Sequence, residues 1–201
     1  VEKVIQCNIR NITEQRKAQE ALRKSEKALR ELSWHDHLTG LYNRRYLEEN
    51  LKREILRAKR KTSLLGIIML DIDNFKHSND TFGHAAGDYI LQQVGKLLQG
   101  NIRGEDILSR YGGDEFVIIL PDISERVVLE RAEFLRKLIF EFQFRFRSKK
   151  IGEISLSLGI AIFPGDGKTI ESLLHAADLA LYQAKHKGRN RVEFAVSLIS
   201  Q

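Results

Sequence analysis

Apolar residues recur along this chain with two different periods, and the change from one to the other divides it. Val1 to Arg10 alternates loosely, as a terminal strand would. Asn11 and Glu14 then have the spacing of a helix N-cap pair. Ala18, Leu22, Ser25, Leu29 and Leu32 follow at steps of 4, 3, 4 and 3, the seam of a short coiled coil flanked by Lys, Arg, Glu and Gln. One such helix cannot bury its stripe alone, so the spacing predicts a partner helix. A polar stretch, His35 to Asn43, separates this region from a globular one.

In the globular region Asn43 is placed to cap a helix running to about Lys61, with Leu47, Leu51, Ile55 and Ala58 on one face. Leu64 to Ile72 is too short and too continuously apolar for an amphipathic helix and reads as a buried strand. A polar loop is expected next, then a helix near 84–99 with Ile90, Leu91, Val94 and Leu98 inward. Ile107–Tyr111 and Glu115–Leu120 read as strands joined by a Gly-containing turn. Ser124 is expected to cap a long helix to about Phe144, and Ile154–Phe163 to form another strand. A helix over 170–187, closed by Gly188, and a short edge strand over Arg191–Phe194 complete the chain.

The core order β-α-β-β-α-β predicts an α+β fold, a ferredoxin-like or palm-like split βαβ sheet with helices on one face, plus the N-terminal coiled-coil-type helix. The crossover helix makes the second core strand run parallel to the first. The turn between the second and third strands then falls at the same edge as the end of the first. Asp71 and Asp73 end the first strand, and Asp114 and Glu115 lie in that turn. Carboxylates far apart in sequence are thus expected at one sheet edge.

Composition narrows the picture. The 201 residues suit one ordinary domain with an appendage, and a hydrophobic fraction of 42% is enough for a core. One cysteine, Cys7, allows no intrachain disulfide. The longest apolar run, Leu64 to Leu70, is far short of the ~20 residues that span a bilayer, and no signal peptide is visible. A cytoplasmic chain is expected, with no direct membrane contact from this segment, although a longer membrane-tethered sensor remains compatible with it. The excess of 33 Lys and Arg over 27 Asp and Glu attracts anions. Nucleic acid is not the expected partner, because basic residues are not interleaved with surface aromatics.

Crowded carboxylates repel one another unless a cation neutralises them. Hard oxygen donors without a nearby Cys or His pair suit magnesium or manganese, not zinc. A metal there polarises a phosphate and acidifies an attacking hydroxyl. Asp73 is expected only to cap and solvate its loop. Asp88, near the start of the helix over 84–99, reads by itself as a stabiliser of the helix dipole.

Arg110-Tyr111-Gly112-Gly113-Asp114-Glu115-Phe116 resembles the signature of the GGDEF family, the diguanylate cyclases. Asp36-His37-Leu38-Thr39-Gly40-Leu41-Tyr42-Asn43-Arg44 is similar to the family's opening segment, with His37 where proline is common. Asp71 to Lys76, Asn79-Asp80, Gly83 to Asp88 and Lys185 to Asn190 resemble the metal loop, the base-binding stretch and the closing segment. The resemblance covers about residues 33–195. It implies metal binding by Asp71, the Ile72 carbonyl and Asp114, with Glu115 beside the second metal or handling the 3′-hydroxyl proton. It implies phosphate contacts from the Asn74 and Phe75 amides, Lys76, Lys185 and Arg189, close backbone approach at Gly112 and Gly113, and base contacts from Asn79 and Asp88. The implied base contacts suit guanine, whose paired N–H donors a carboxylate accepts while an amide both donates and accepts, so the resemblance implies GTP over ATP. Arg103-Gly104-Glu105-Asp106 is similar to the family's inhibitory product site, with Arg110 nearby. Asn8 to Arg16 resembles the exit of a PAS sensory domain into a signalling helix.

The implied reaction joins two GTP molecules into cyclic di-GMP across a homodimer formed through that helix. Residues 1–33 then make up a sensory exit and 34–201 the cyclase domain. A receptor that has lost catalysis and a cyclase making another product are the rivals. Intact Asp71, Lys76, Asn79, Asp88, Asp114 and Glu115 argue against the first, and the guanine contacts against the second.

Overall fold

The computed structural model describes residues 14–20 and 34–195. The strand expected over Val1–Arg10 and most of the coiled-coil seam lie outside those residues. Tertiary contacts divide the chain into two units, Val1–His35 and Asp36–Gln201. In the first, residues 14–20 form a helix, α1.

The second unit contains β1 (Tyr42–Asn43), α2 (Arg44–Lys61), β2 (Leu65–Ile72), α3 (Phe75–Phe82), α4 (His84–Gln99), β3 (Ile107–Gly112) and β4 (Glu115–Pro121). There follow α5 (Glu125–Glu141), β5 (Phe144–Phe146), β6 (Lys149–Gly152), β7 (Leu156–Phe163), α6 (Ile170–His186) and β8 (Val192–Phe194). Six strands form one sheet in the order β1-β3-β4-β2-β7-β8, and β5 and β6 form a separate hairpin. The four central strands are antiparallel neighbours, whereas β1 on β3 and β8 on β7 pair in parallel. The sheet is therefore mixed, and its centre has the expected split βαβ order. β3 runs in the same direction as β2, with β4 between them.

The expectation of helices on one face is corrected. All eight residues of β2 and all eight of β7 are buried, so both faces of the sheet need cover. Ile68, Leu70 and Ile72 pack with Ile90 and Val94 of α4 and Leu135 and Ile139 of α5 on one side. Leu65, Ile67 and Met69 pack with Leu47 and Leu51 of α2 and Leu173, Ala177 and Leu181 of α6 on the other.

Several local readings hold. The Asn43 side chain caps α2 by accepting from the Tyr46 amide, and Leu47, Leu51, Ile55 and Ala58 are its buried face. Others change. The polar loop after β2 contains α3, whose Ser78 is buried against the fold although its other residues are polar or partly exposed. Ser124 precedes α5 without a side-chain cap bond, and α5 ends at Glu141, short of Phe144. Phe142 turns to extended backbone, and Phe144 enters the core at 1% exposure, edge-on to the Phe142 ring. Burying that ring stops the helix and begins the β5–β6 hairpin. Thr169 and Ser172 form a capping box at the start of α6 that the apolar spacing does not reveal.

Candidate active site

The end of β2 and the β3–β4 turn meet as the topology requires. Asp71 stands opposite Glu115 in the β2–β4 register, and the Ile72 amide donates to the Asp114 carbonyl at 3.4 Å. On the other side of β2, Asp71 is in register with Ser157 of β7. Lys185 comes from the last turn of α6, and its Nζ donates to Asp71 Oδ2 at 2.7 Å.

Burial pushes the Asp71 carboxyl up to about 6; Lys185 works against this shift, and the charges of Asp114 and Glu115 reinforce it. Glu115 is also raised, chiefly by burial, with Asp114 and Asp178 adding to the shift and Lys185 and Arg44 opposing it. These shifts place Asp71, Asp114, Glu115 and Lys185 in one electrostatic cluster. Arg44 and Asp178 belong to its outer field, which the sequence reading did not include. They line a cavity of about 490 Å³ beside Glu115, where the Arg44 guanidinium lies over the Tyr111 ring at 4.5 Å.

A hard divalent cation fits this donor set, since it would relieve the repulsion and burial that raise Asp71 and Glu115. Among the described residues no three His, Cys, Asp or Glu side chains converge into a ready-made cage. An ion held here by Asp71, the Ile72 carbonyl, Asp114 and Glu115 therefore needs further oxygen ligands from water or substrate. Asp73 has a different task. Its carboxylate, 6% exposed, accepts from the Ser155 and Ser157 hydroxyls at 2.6 Å each and from the Asn190 amide at 3.0 Å. It ties the end of β2 to β7 and to the segment after α6, the loop-fixing role expected of it.

Beyond Asp73 the chain turns through Asn74, which adopts left-handed backbone, into α3. No side chain caps α3, so its first amides, including that of Phe75, are open to an anion, with Lys76 exposed in the same turn. Asn79 is half-buried and lies against Gly87 of α4, one residue before exposed Asp88. A Cβ at Gly87 would overlap the Asn79 carboxamide, so any larger residue there must displace Asn79. The motif reading gave Gly87 no individual role; its signal appears only once α3 and α4 are packed together.

The hairpin tip is held from beneath. Gly113 has φ +52, and a Cβ at either Gly112 or Gly113 would meet open space, so it is the Gly113 backbone angle that restricts substitution in the turn. Arg110 Nε and Nη2 donate to the Gly113 carbonyl at 2.9 and 2.7 Å, and Nη1 donates to both Asp36 carboxylate oxygens at 3.0 and 3.1 Å. Burial works against ionisation of Asp36, but bonds from Thr39 and Arg110 outweigh it and hold that carboxyl below its ordinary range. Arg110 is thus a clamp between the hairpin and Asp36. It also lies four residues along β3 from Asp106, about 13 Å away.

Arg103 and Asp106 precede β3, at the opposite end of that strand from the hairpin. The Asp106 carboxylate accepts from the Arg103 amide at 2.7 Å and pairs with Arg131 at 2.7 Å, with its side chain 2% exposed. Arg131 was not anticipated, because it lies 25 residues further along the chain, in α5. The Arg103 guanidinium is exposed, 3.8 Å from Glu105. Lys185 and Arg189 flank the turn that Asn190 fixes, and the Arg189 backbone is left-handed and bonded to the Ala184 carbonyl at 3.0 Å.

A family model described as "Diguanylate cyclase, GGDEF domain" matches residues 33–191. Diguanylate cyclase DosC of Escherichia coli is 44% identical over 158 residues, which span 79% of this chain and 34% of that protein. The response regulator PleD of Caulobacter vibrioides is 40% identical over 163 residues, 81% of this chain and 36% of that protein. The chain thus spans about a third of the length of these relatives. A crystal structure of the coiled coil and GGDEF domain of DgcB from Caulobacter crescentus, in complex with c-di-GMP, has a TM-score of 0.80 at 32% identity. It covers 92% of this chain and 97% of that one. The active GGEEF domain of a diguanylate cyclase from Vibrio cholerae has a TM-score of 0.71 at 36% identity, covering 77% and 97%.

Proposed function

From the premise that this chain belongs to the GGDEF family of diguanylate cyclase domains, we propose that it condenses two GTP molecules into cyclic di-GMP and two pyrophosphates. The observation that carries this is the register that sets Asp71 opposite Glu115, with Asp114 at the turn and Lys185 on Asp71. Two domains, each holding one GTP, face one another. Each 3′-hydroxyl attacks the α-phosphorus of the opposite GTP; one P–O bond forms and the bond to pyrophosphate breaks. Magnesium or manganese, when bound at Asp71, Ile72, Asp114 and Glu115, supplies charge neutralisation and a more acidic hydroxyl.

The chain's own residues position the reactants. Asp88 and Asn79 take the guanine edge, the Asn74 and Phe75 amides and Lys76 receive phosphate oxygens, and Lys185 and Arg189 add positive charge. Gly112 and Gly113 let the backbone approach the phosphates without a Cβ in the way, and Arg110 holds Gly113 in place. This economy of positioning and charge is what phosphoryl transfer requires.

Arg103 and Asp106 form the product site in this reading. The exposed Arg103 guanidinium stacks on or forks onto guanine. Asp106 already holds the Arg103 amide and Arg131, so a guanine donor shares that carboxylate. Residues 1–33 belong to the end of a sensory domain and a dimerising helix; the DgcB fragment, which carries a coiled coil, supports the helix. The chain works in the cytoplasm, alone or as part of a longer tethered sensor; among the described residues no helix is long and apolar enough to cross a membrane.

One assay tests the whole reading. The protein is incubated with GTP and magnesium, and the nucleotides are separated by chromatography. Wild type forms cyclic di-GMP, and Asp114→Ala loses essentially all turnover. Arg103→Ala keeps its initial velocity but escapes inhibition by added product. Removing residues 1–32 lowers activity at low protein concentration. A wild type that leaves GTP intact under all these conditions overturns the proposal.

A further inference from the structure

The ion pair between Lys185 and Asp71 governs how this site can fill. At 2.7 Å from Oδ2, the ammonium holds a position on that oxygen that another cation would otherwise take. The two partners are unequally exposed: the Asp71 side chain is 9% accessible and that of Lys185 33%. Asp71 is fixed in the sheet between β4 and β7, whereas Lys185 stands in the last turn of α6 with its head near solvent. Lys185 can therefore leave while Asp71 cannot.

A second observation is independent of this contact. Among the described residues no three acidic, His or Cys side chains converge closely enough to hold an ion by themselves. A divalent cation arriving alone must displace an ammonium and would still lack ligands. A triphosphate alters both conditions. Its oxygens complete the coordination of a hard cation, and its charge gives Lys185 another anion to bind.

We propose that Lys185 is the counter-ion that keeps Asp71 closed to divalent cations until a nucleoside triphosphate draws it away, so that metal and nucleotide enter together. The proposal rests on the cyclase reading above and adds an order of events to it. Lys185 acts here as a positioning residue with two alternative anions, the sheet-edge carboxylate and the nucleotide. By linkage, whatever factor nucleotide contributes to metal affinity, metal contributes to nucleotide affinity.

Binding of Mn²⁺ to the full chain, followed by the paramagnetic resonance signal of the free ion, tests this without any turnover. It is measured with and without a GTP analogue carrying methylene between the α and β phosphorus atoms. Wild type binds Mn²⁺ weakly alone, and the analogue tightens binding at least about tenfold, the ordinary scale of coupling between sites. Lys185→Met binds Mn²⁺ alone about tenfold more tightly than wild type, and the enhancement by the analogue shrinks. Lys185→Gln, which keeps a polar head without the charge, moves in the same direction and guards against a misfolded methionine variant. Adding Asp71→Asn to Lys185→Met abolishes the gain. The proposal is overturned if folded Lys185→Met and Lys185→Gln bind Mn²⁺ no better than wild type, or if the gain survives Asp71→Asn. Failure of the analogue to bind any of the proteins would instead defeat the cyclase reading.

Discussion

At Gly87 a hydrogen stands where any other residue would carry a Cβ, and the Asn79 carboxamide occupies that space beside Asp88. Gly87→Ala should therefore push Asn79 off the base edge and raise the KM for GTP about tenfold or more, because a lost polar contact at such a site is costly. Titration calorimetry with a GTP analogue checks this, and unchanged affinity would remove Asn79 from the base site. Asp71 carries a different signature. Its folded-state carboxyl is raised to about 6 from the ordinary 3.8, so the folded chain holds a proton there that the unfolded chain has already lost. The contribution of Asp71 to stability therefore falls as pH rises from about 4 to about 6 and stays lowered above that. Asp71→Asn should melt higher than wild type at pH 8 in chelator, with the difference closing near pH 4; thermal melts at both values decide it. Acid residues facing one edge were legible in the sequence, because strand order alone brings them there. The roles of Gly87 and Arg110 were not, because they depend on contacts between elements whose packing no local pattern encodes.

Elements carry these residues into place, and one close junction lies between β7 and α6. A Cβ at Gly159 would run into the α6 backbone at Ala177, Ala180 and Leu181. Gly159→Ala must lift the helix that bears Lys185, and overpacking of this kind costs about 1–3 kcal/mol. A lowered melting temperature together with reduced turnover is the expected outcome; an unshifted melt would mean that the helix yields freely. A continuous apolar run made β2 legible, alternating Ile154, Leu156, Leu158 and Ile160 made β7 so, and Asn43 marked the start of α2 because its cap obeys local chemistry. α3 was missed because it is a short polar helix with one buried residue, Ser78, and so has no apolar stripe. The β5–β6 hairpin was missed because Phe144 reads as a last helical turn until the core claims it.

For the molecule as a whole, the net charge of +6 is less diffuse than its total suggests. Arg145, Arg147, Lys149 and Lys150 are all exposed on or beside the β5–β6 hairpin. Without them the 33 basic residues become 29 against 27 acidic, a balance of +2. The hairpin leans on α4 through Phe146, whose ring lies 5.6 Å from that of Tyr89, next to Asp88. Four cations beside the site should speed the encounter with a tetra-anionic nucleotide. Changing all four to Gln should lower kcat/KM for GTP several-fold at low ionic strength, leave kcat alone, and lose its effect above ~0.5 M salt, where screening is nearly complete. Initial rates at two salt concentrations measure this; a salt-independent loss would point to a packing fault.

The sheet ends in very short strands, two residues of β1 on one side and three of β8 on the other. Edge strands this short offer a foreign chain little length to zip onto. Copies of such a domain can therefore crowd together without growing edge to edge into fibrils.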